Sequence, residues 1–385
     1  MSRQKIINGI AGSWMRFKIR FHFAGIIFGM YHNPVTIFRV TRKMLQIRHQ
    51  FLQGQEIKKI AFVDGKYYFD LFTPAFGSRA FRHFIEGEAN RIAPIPGKFN
   101  HFANIFVAVT KSCPLNCPHC LEGDSLNQPD LLTLEDLKKL FQNIDKVGTA
   151  QIQLTGGEPL LRLNDIIEIL KAHGKETEFW LYTSGYKLTA SSALTLKQAG
   201  LSGIALSLDH WSAESHNNFR GNKDSFQWVE EAVQYAMEAK LVVALSICVS
   251  RAFVTEDNLL SYIELAKEWG VSFIQLLEPK ASGRYAGKDI ELKPAQEKIL
   301  EDFFLKMNFH PAYHDYPIVT YHGYYQRKAG CLCAGRKSFY IDADANIHAC
   351  PFCRGKMGSA LDGDIIKITM ALQSKGCSMY KAFPS

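Results

Sequence analysis

From about residue 105 the chain alternates short apolar runs with longer amphipathic segments. The runs at 105–109, 151–155, 179–183, 203–209, 242–249 and 273–278 have strand length. Between them, residues 133–145, 164–172, 189–199, 225–239 and 256–269 repeat their apolar positions at helical spacing. Six strand–helix units in succession predict a parallel sheet, open or partly closed into a barrel. In the run at 244–250, Ser246, Cys248 and Ser250 share one face while Leu245, Ile247 and Val249 share the other. A parallel strand covered on both sides should be apolar throughout. Gln151 and Gln153, then Ser207 and Asp209, repeat the same one-sided polarity. The simplest account is a barrel whose lumen is partly polar because it holds a ligand, with helices covering the apolar outer faces.

Upstream, residues 15–23 alternate apolar and basic side chains, which taken literally is a strand with one basic face; helix is the competing reading, because the flanks are not turn-like. Asn33-Pro34 is a helix start, and Ile37, Val40, Met44, Ile47 and Phe51 follow at helical spacing with Arg39, Arg42 and Lys43 off the stripe. Asp64-Gly65 between two short apolar runs at 60–69 predicts a hairpin. A helix near 78–88 and the proline-rich stretch 93–97 close this part. The expected division is an α+β extension over 1–100, a strand–helix domain over 101–285 and a small cysteine-rich region over 286–385.

Composition is that of an ordinary globular protein, 47% hydrophobic and 21% charged, but the charge is unevenly placed. Residues 1–55 carry nine basic side chains (Arg3, Lys5, Arg16, Lys18, Arg20, Arg39, Arg42, Lys43, Arg48) and no acidic one, and this accounts for the whole net charge of +8. The longest uncharged stretch there, 23–38, is shorter than the roughly 20 apolar residues of a membrane-spanning helix and is broken by His32, Asn33 and Pro34. A solvated basic helix, or a surface for an anionic membrane or acidic partner, fits such an arm. Nucleic acid is disfavoured because no aromatic-interleaved recognition motif accompanies the charge.

Nine cysteines fall into two groups, 113/117/120 and 331/333/350/353, with Cys248 and Cys377 apart. No secretory signal precedes a disulfide framework, so the expected setting is a reducing, cytoplasmic compartment, with peripheral contact at the inner membrane face as the option the basic arm raises. Cys113-Pro-Leu-Asn-Cys117-Pro-His-Cys120 directly follows the first strand, where parallel folds build their sites. Thiolates so spaced select zinc, copper(I) or an iron–sulfur cluster. Zinc would need a fourth ligand, and His119 lies immediately beside Cys120, a poor spacing for joint ligation. The second strand ends in Gly156-Gly157-Glu158-Pro159, a turn whose glycines let backbone approach a ligand and whose free amides can face it.

Together these features closely resemble the radical S-adenosylmethionine (SAM) superfamily, over about residues 103–285. Cys113, Cys117 and Cys120 match its CxxxCxxC signature, His119 its usual aromatic position, and Gly156, Gly157, Glu158 and Pro159 its GGEP turn. Tyr182-Thr-Ser-Gly185 and the stretch from Leu206 through Gly221 look like its third and fourth strand ends. The resemblance implies a partial (β/α)6 barrel and a [4Fe–4S] cluster whose unligated iron is chelated by SAM. Ser184, Ser207 and Asp209 are implied contacts for the ribose and methionine, and an electron donor such as a flavodoxin or ferredoxin is implied as a partner. The expected chemistry is one-electron cleavage of SAM to a 5′-deoxyadenosyl radical that abstracts hydrogen from a substrate.

The C-terminal cysteines resemble a SPASM/twitch extension, which implies one auxiliary [4Fe–4S] cluster on Cys333, Cys350 and Cys353 with Cys331 or Cys377 as a fourth ligand; a four-thiolate zinc site is the alternative. Ala345 stands where the pattern usually has a turn glycine. Cys248 faces the expected lumen, either as a hydrogen donor or as a small apolar side chain. Arg284 is either a carboxylate anchor or a surface residue. The leading expected substrate is a peptide or protein, with a lipid or membrane-associated molecule as runner-up and a non-catalytic metal scaffold as the alternative of another class.

Overall fold

The computed structural model describes residues 4–98, 100–123 and 125–377; Arg3 lies outside them. The chain opens with β1 (Lys5–Ile7), the long helices α1 (Gly9–Met30) and α2 (Pro34–Phe51), the hairpin β2 (Ile60–Val63) and β3 (Lys66–Tyr68), and α3 (Arg79–Ile92). Residues 15–23 are therefore helical, which corrects the strand read from their alternation. The reason is that α1 is apolar on two sides: Met15, Ile26 and Ile27 are buried on one, while Trp14, Phe17 and Phe21 stand exposed on the other. α2 starts where the sequence places it, with Asn33 Oδ1 accepting from the Val35 amide at 2.9 Å ahead of Pro34. Asp64 and Gly65 both take positive φ, 49° and 77°, and so make the two-residue turn of the hairpin.

The strand–helix series follows: β4 (Phe102–Ala108), α4 (Leu134–Val147), β5 (Thr149–Thr155), α5 (Leu163–His173), β6 (Glu178–Thr183), α6 (Ala190–Ala199), β7 (Leu201–Ser207), α7 (Ala213–Arg220), α8 (Ser225–Glu238), β8 (Val242–Cys248), α9 (Glu256–Trp269) and β9 (Phe273–Leu277). These six strands pair in parallel in chain order, each with its sequence neighbour. The short α7 was not separated from its surroundings by periodicity. The last part of the chain forms α10 (Pro294–Phe309), β10 (Ile318–Tyr321), α11 (His322–Ala329), β11 (Ser338–Ile341), β12 (Asn346–His348), β13 (Gly358–Ser359) and α12 (Ile365–Lys375). β10 adds in parallel to β9, and β11 adds in parallel to β4, giving one ten-stranded sheet in the order β10-β9-β8-β7-β6-β5-β4-β11-β12-β13. The sheet thus continues past residue 285 at both of its ends.

Strand alternation splits the interior into two apolar cores. Ile152, Leu181, Ile204, Leu245 and Ile274 face the helices in the larger one. On the opposite face, Trp180, Ala205, Ala244 and Phe273 meet Ala61, Tyr68, Leu71 and Phe72 from the β2–β3 hairpin and the loop after it, so the N-terminal extension closes one end of the lumen. α3 packs on the β4 side, where Arg91 Nε donates to the Arg336 carbonyl at 3.2 Å and Lys337 pairs with Glu88. α2 packs on α11, where Phe51 stacks on Tyr325 at 4.0 Å. Its helices therefore connect the two sides of the partial barrel. Leu71, wholly buried in the lumen plug, is the test of that closure. Leu71→Ala is expected to lower stability by about 2–5 kcal/mol, read from the denaturant midpoint.

Candidate active site

The cysteine loop after β4 and the glycine turn after β5 are locked together by backbone. The Gly157 amide donates to the Thr110 carbonyl and the Glu158 amide to the Ser112 carbonyl, both at 2.7 Å. A Cβ at Gly156 would stand 2.6 Å from the Thr110 oxygen, and one at Gly157 would stand 2.4 Å from the Ser112 oxygen. Glycine is required here for loop-to-loop contact, and the two amides expected to face a ligand are engaged inside the protein. What the turn leaves is carbonyl oxygen, an acceptor suited to an ammonium group. The Glu158 carboxylate is fully occupied as well: it accepts from the Leu160 amide at 3.1 Å, the Ser184 amide at 2.9 Å, and the Thr183 and Ser184 hydroxyls at 2.5 Å. Glu158 therefore positions the turn against the end of β6. Pro159 is buried at the start of a short 3₁₀ helix.

Cys113, Cys117 and Cys120 are free thiols on this loop, and burial raises all three, Cys113 to about 12. Asn127 Oδ1 accepts from the Cys113 amide at 2.8 Å. Arg284 is neither a surface residue nor aimed at a carboxylate: its Nη1 donates to the Cys117 carbonyl at 3.1 Å and its amide to the Cys120 carbonyl at 3.0 Å. The loop after β9 thereby clasps the cysteine loop. The His119 ring stacks on Phe219 at 5.0 Å, its Nδ1 buried without a hydrogen-bond partner, and burial lowers its pKa to about 4, so the ring is neutral.

Asp209 at the end of β7 sits under this loop. Burial is the largest single effect and would raise its pKa, but the Arg220 guanidinium, the His119 and His216 rings and the Cys248 amide together hold it below the usual carboxylate range. Arg220 Nε and Nη2 reach one Asp209 oxygen at 2.6 and 2.5 Å, and its Nη1 lies 3.6 Å from the Cys117 sulfur. The other Asp209 oxygen accepts the Cys248 amide at 3.1 Å. Cys248 and Ser207 line the same cavity, and burial raises the Cys248 thiol so that it stays protonated. Arg220 was missed as a site residue: an arginine ending a short helix has no one-dimensional signal that it returns to a strand end.

The second cysteine group converges across the cavity. The Cys331 thiol is in hydrogen-bond contact with those of Cys333 and Cys377, Cys350 with Cys353, all as free cysteines, and Ser338 Oγ donates to the Cys333 sulfur at 3.1 Å. Among the described residues no three His, Cys, Asp or Glu side chains are gathered around a single-ion position. A zinc site needs its sulfurs about 2.3 Å from one point, whereas in a cluster each thiolate binds its own iron. Two ties that the sequence did not reveal join the groups: Arg354 Nη2 donates to Glu122 at 2.9 Å, and Lys111 pairs with Asp344 at 2.6 Å. All nine cysteines line one cavity of about 920 Å³.

The Radical SAM superfamily profile matches residues 107–268, from the strand before the cysteine loop through α9. The matched segment belongs to the radical SAM superfamily. Over 181 residues it is 32% identical to GTP 3′,8-cyclase of Helicobacter pylori, covering 45% of this chain and 56% of that one. Over 200 residues it is 30% identical to AdoMet-dependent heme synthase of Methanosarcina barkeri, covering 51% and 56%. The chain thus spans about half the length of the curated relatives it matches. Its fold resembles Streptococcus suis SuiB bound to precursor peptide SuiA, with a TM-score of 0.59 at 13% identity over 74% of this chain and 69% of that one. It also resembles anSMEcpe with bound AdoMet, with a TM-score of 0.55 at 18% identity over 69% and 80%.

Membership implies a [4Fe–4S] cluster and SAM, and the residues present fit both. Three thiols share one loop, the glycine turn lies against that loop with no turn or loop amide donating to the Gly156 or Gly157 carbonyl among the described residues, and a buried unpartnered His119 nitrogen stands beside Cys120. Two outcomes follow from the geometry. Gly157→Ala should fold yet lose SAM binding by equilibrium dialysis, because the added methyl forces the two loops apart. Arg220→Leu strands a buried carboxylate and should cost about 3–5 kcal/mol in chemical denaturation, most of it recovered in the Arg220→Leu, Asp209→Leu double variant.

Proposed function

We propose that this chain abstracts a hydrogen atom from a C–H bond of a substrate with an extended apolar segment, using SAM held at Cys113, Cys117 and Cys120. The observation that supports this reading is the shape and lining of the cavity. One continuous wall runs from Cys117, Asp209 and Cys248 to Phe23, Met44 and Phe84 of the N-terminal helices. When bound, the cluster supplies the electron that cleaves SAM, and the cleaved SAM supplies the hydrogen-abstracting group. The chain's own part is positional. The Glu158 carboxylate fixes the turn, Arg284 clasps the cysteine loop, and the Asp209–Arg220 pair sets the floor below it. The hairpin plug and the N-terminal helices keep water from the lumen. Cys248, protonated at the end of β8, is placed as a hydrogen donor to the lumen.

A peptide is the second reading, supported by the likeness to a structure that holds a precursor peptide. We also assign Cys331, Cys333, Cys350, Cys353 and Cys377 as the thiols from which an auxiliary cluster takes its ligands, and a flavodoxin or ferredoxin as the class of electron donor.

Anaerobic reconstitution tests the metal assignment: about eight irons and eight sulfides per chain support two clusters. About four irons with one zinc would remove the auxiliary cluster. With reductant, the wild type should release 5′-deoxyadenosine from SAM and Cys117→Ala should release none. Absence of that product with apolar-chain lipids and with peptides alike would favour a scaffold.

A further inference from the structure

α1 and α2 carry apolar side chains outward as well as inward. On α1, Ile10, Trp14, Phe17, Phe21 and Phe28 are each more than half exposed, and their spacing of four, three, four and seven puts them on one stripe five turns long. Trp14 stacks on Phe17 at 5.7 Å, and Phe17 meets Phe21 at 6.0 Å, so the stripe is continuous. On α2, Val35, Phe38 and Leu45 are exposed along one side. A helix apolar on two sides is stable in water only if something covers both. α3 covers the inner side through Ile26, Ile27, Phe81 and Ile85.

Charge identifies the outer cover. The first 55 residues hold no carboxylate, and among the described residues Lys18, Arg39, Arg42 and Lys43 flank the stripes without an ion pair. Aromatic residues bordered by Lys and Arg are the composition of a helix that lies in the headgroup layer of an anionic bilayer. No helix among the described residues is long and apolar enough to cross a membrane.

The patch is also continuous with the interior. The surface groove on α2, lined by Phe38, Arg42 and His49, shares Thr41, Leu45 and Arg48 with the wall of the internal cavity. Arg16, Arg20 and Arg48 stand together in that wall with Glu56 as the one counter-charge paired among them. We propose that the α1–α2 face docks on an anionic lipid bilayer, with its three-arginine mouth open to a lipid headgroup and the cavity behind it open to the lipid's apolar chain. This deepens the apolar-substrate reading and rests on it for its purpose, while docking itself requires neither cluster nor turnover.

The test is flotation of the full chain with vesicles of phosphatidylglycerol and phosphatidylcholine in equal parts, against vesicles of phosphatidylcholine alone. The expected result is binding to the anionic vesicles, weakened by salt and by roughly tenfold or more in Phe17→Ser, Phe21→Ser. A blue shift of tryptophan emission that Trp14→Phe removes should accompany it. Circular dichroism and iron content of the variants should match the wild type, because these rings stack on one another along the exposed stripe and belong to neither buried core. No flotation, or flotation equal in the variants, overturns the proposal. A dimer that Phe17→Ser, Phe21→Ser converts to monomer, with no vesicle binding, overturns it in favour of a second copy. SAM cleavage is measured separately, so loss of docking and loss of the radical SAM reading are distinguishable.

Discussion

A parallel strand covered on both faces has no water for its polar side chains, so every polar group on an inner face must find a partner or a ligand. This constraint shapes the whole lumen. Ser246 donates to Gln275, Gln153 to Gln151, and Gln151 to Glu178, each across or along the inner face. Near the carboxyl ends of the strands that mutual satisfaction stops. There Ser207 and Cys248 line open space, and the buried His119 and His322 rings each keep a nitrogen without a hydrogen-bond partner. The inner face is thus polar and mostly self-paired low in the barrel, where Gln153 Oε1 is left without a partner, and polar but open above, where the cysteine loop lies.

The two extensions follow from the same constraint. A partial barrel leaves its lumen open at the base and the side. The β2–β3 hairpin fills the base with Tyr68, Leu71 and Phe72, and α2 and α3 connect the sides through Phe51 on Tyr325 and Lys337 on Glu88. The C-terminal strands extend the sheet at both ends and bring a second set of thiols to the same cavity. A site that must exclude water is therefore built from three stretches of chain, held in register by Glu122–Arg354 and Lys111–Asp344.

The six central strands were legible in the sequence because their alternation is enforced on both faces, with Leu245, Ile247 and Val249 on one side and Ser246 and Cys248 on the other. The cysteine loop and glycine turn were legible because their residue types admit few alternatives. Residues 15–23 misled because apolar–basic alternation is also what a helix shows when it is apolar on two sides. Strand β10 escaped notice because four residues carry too little period. Arg220 and Arg354 could not be found in one dimension, nor could the partner of Arg284, since what defines them is the loop each one reaches across the fold. The internal donors of Glu158 were hidden for the same reason: they come partly from β6, one strand away.

The claim on which the rest depends is that the iron held by Cys113, Cys117 and Cys120 is the one that SAM reaches. Electron paramagnetic resonance of the reduced, reconstituted protein tests it directly, with and without SAM, in a variant whose C-terminal cysteines are replaced so that one cluster remains. The account predicts that SAM changes the g-values of that remaining cluster. An unchanged spectrum at saturating SAM would contradict it.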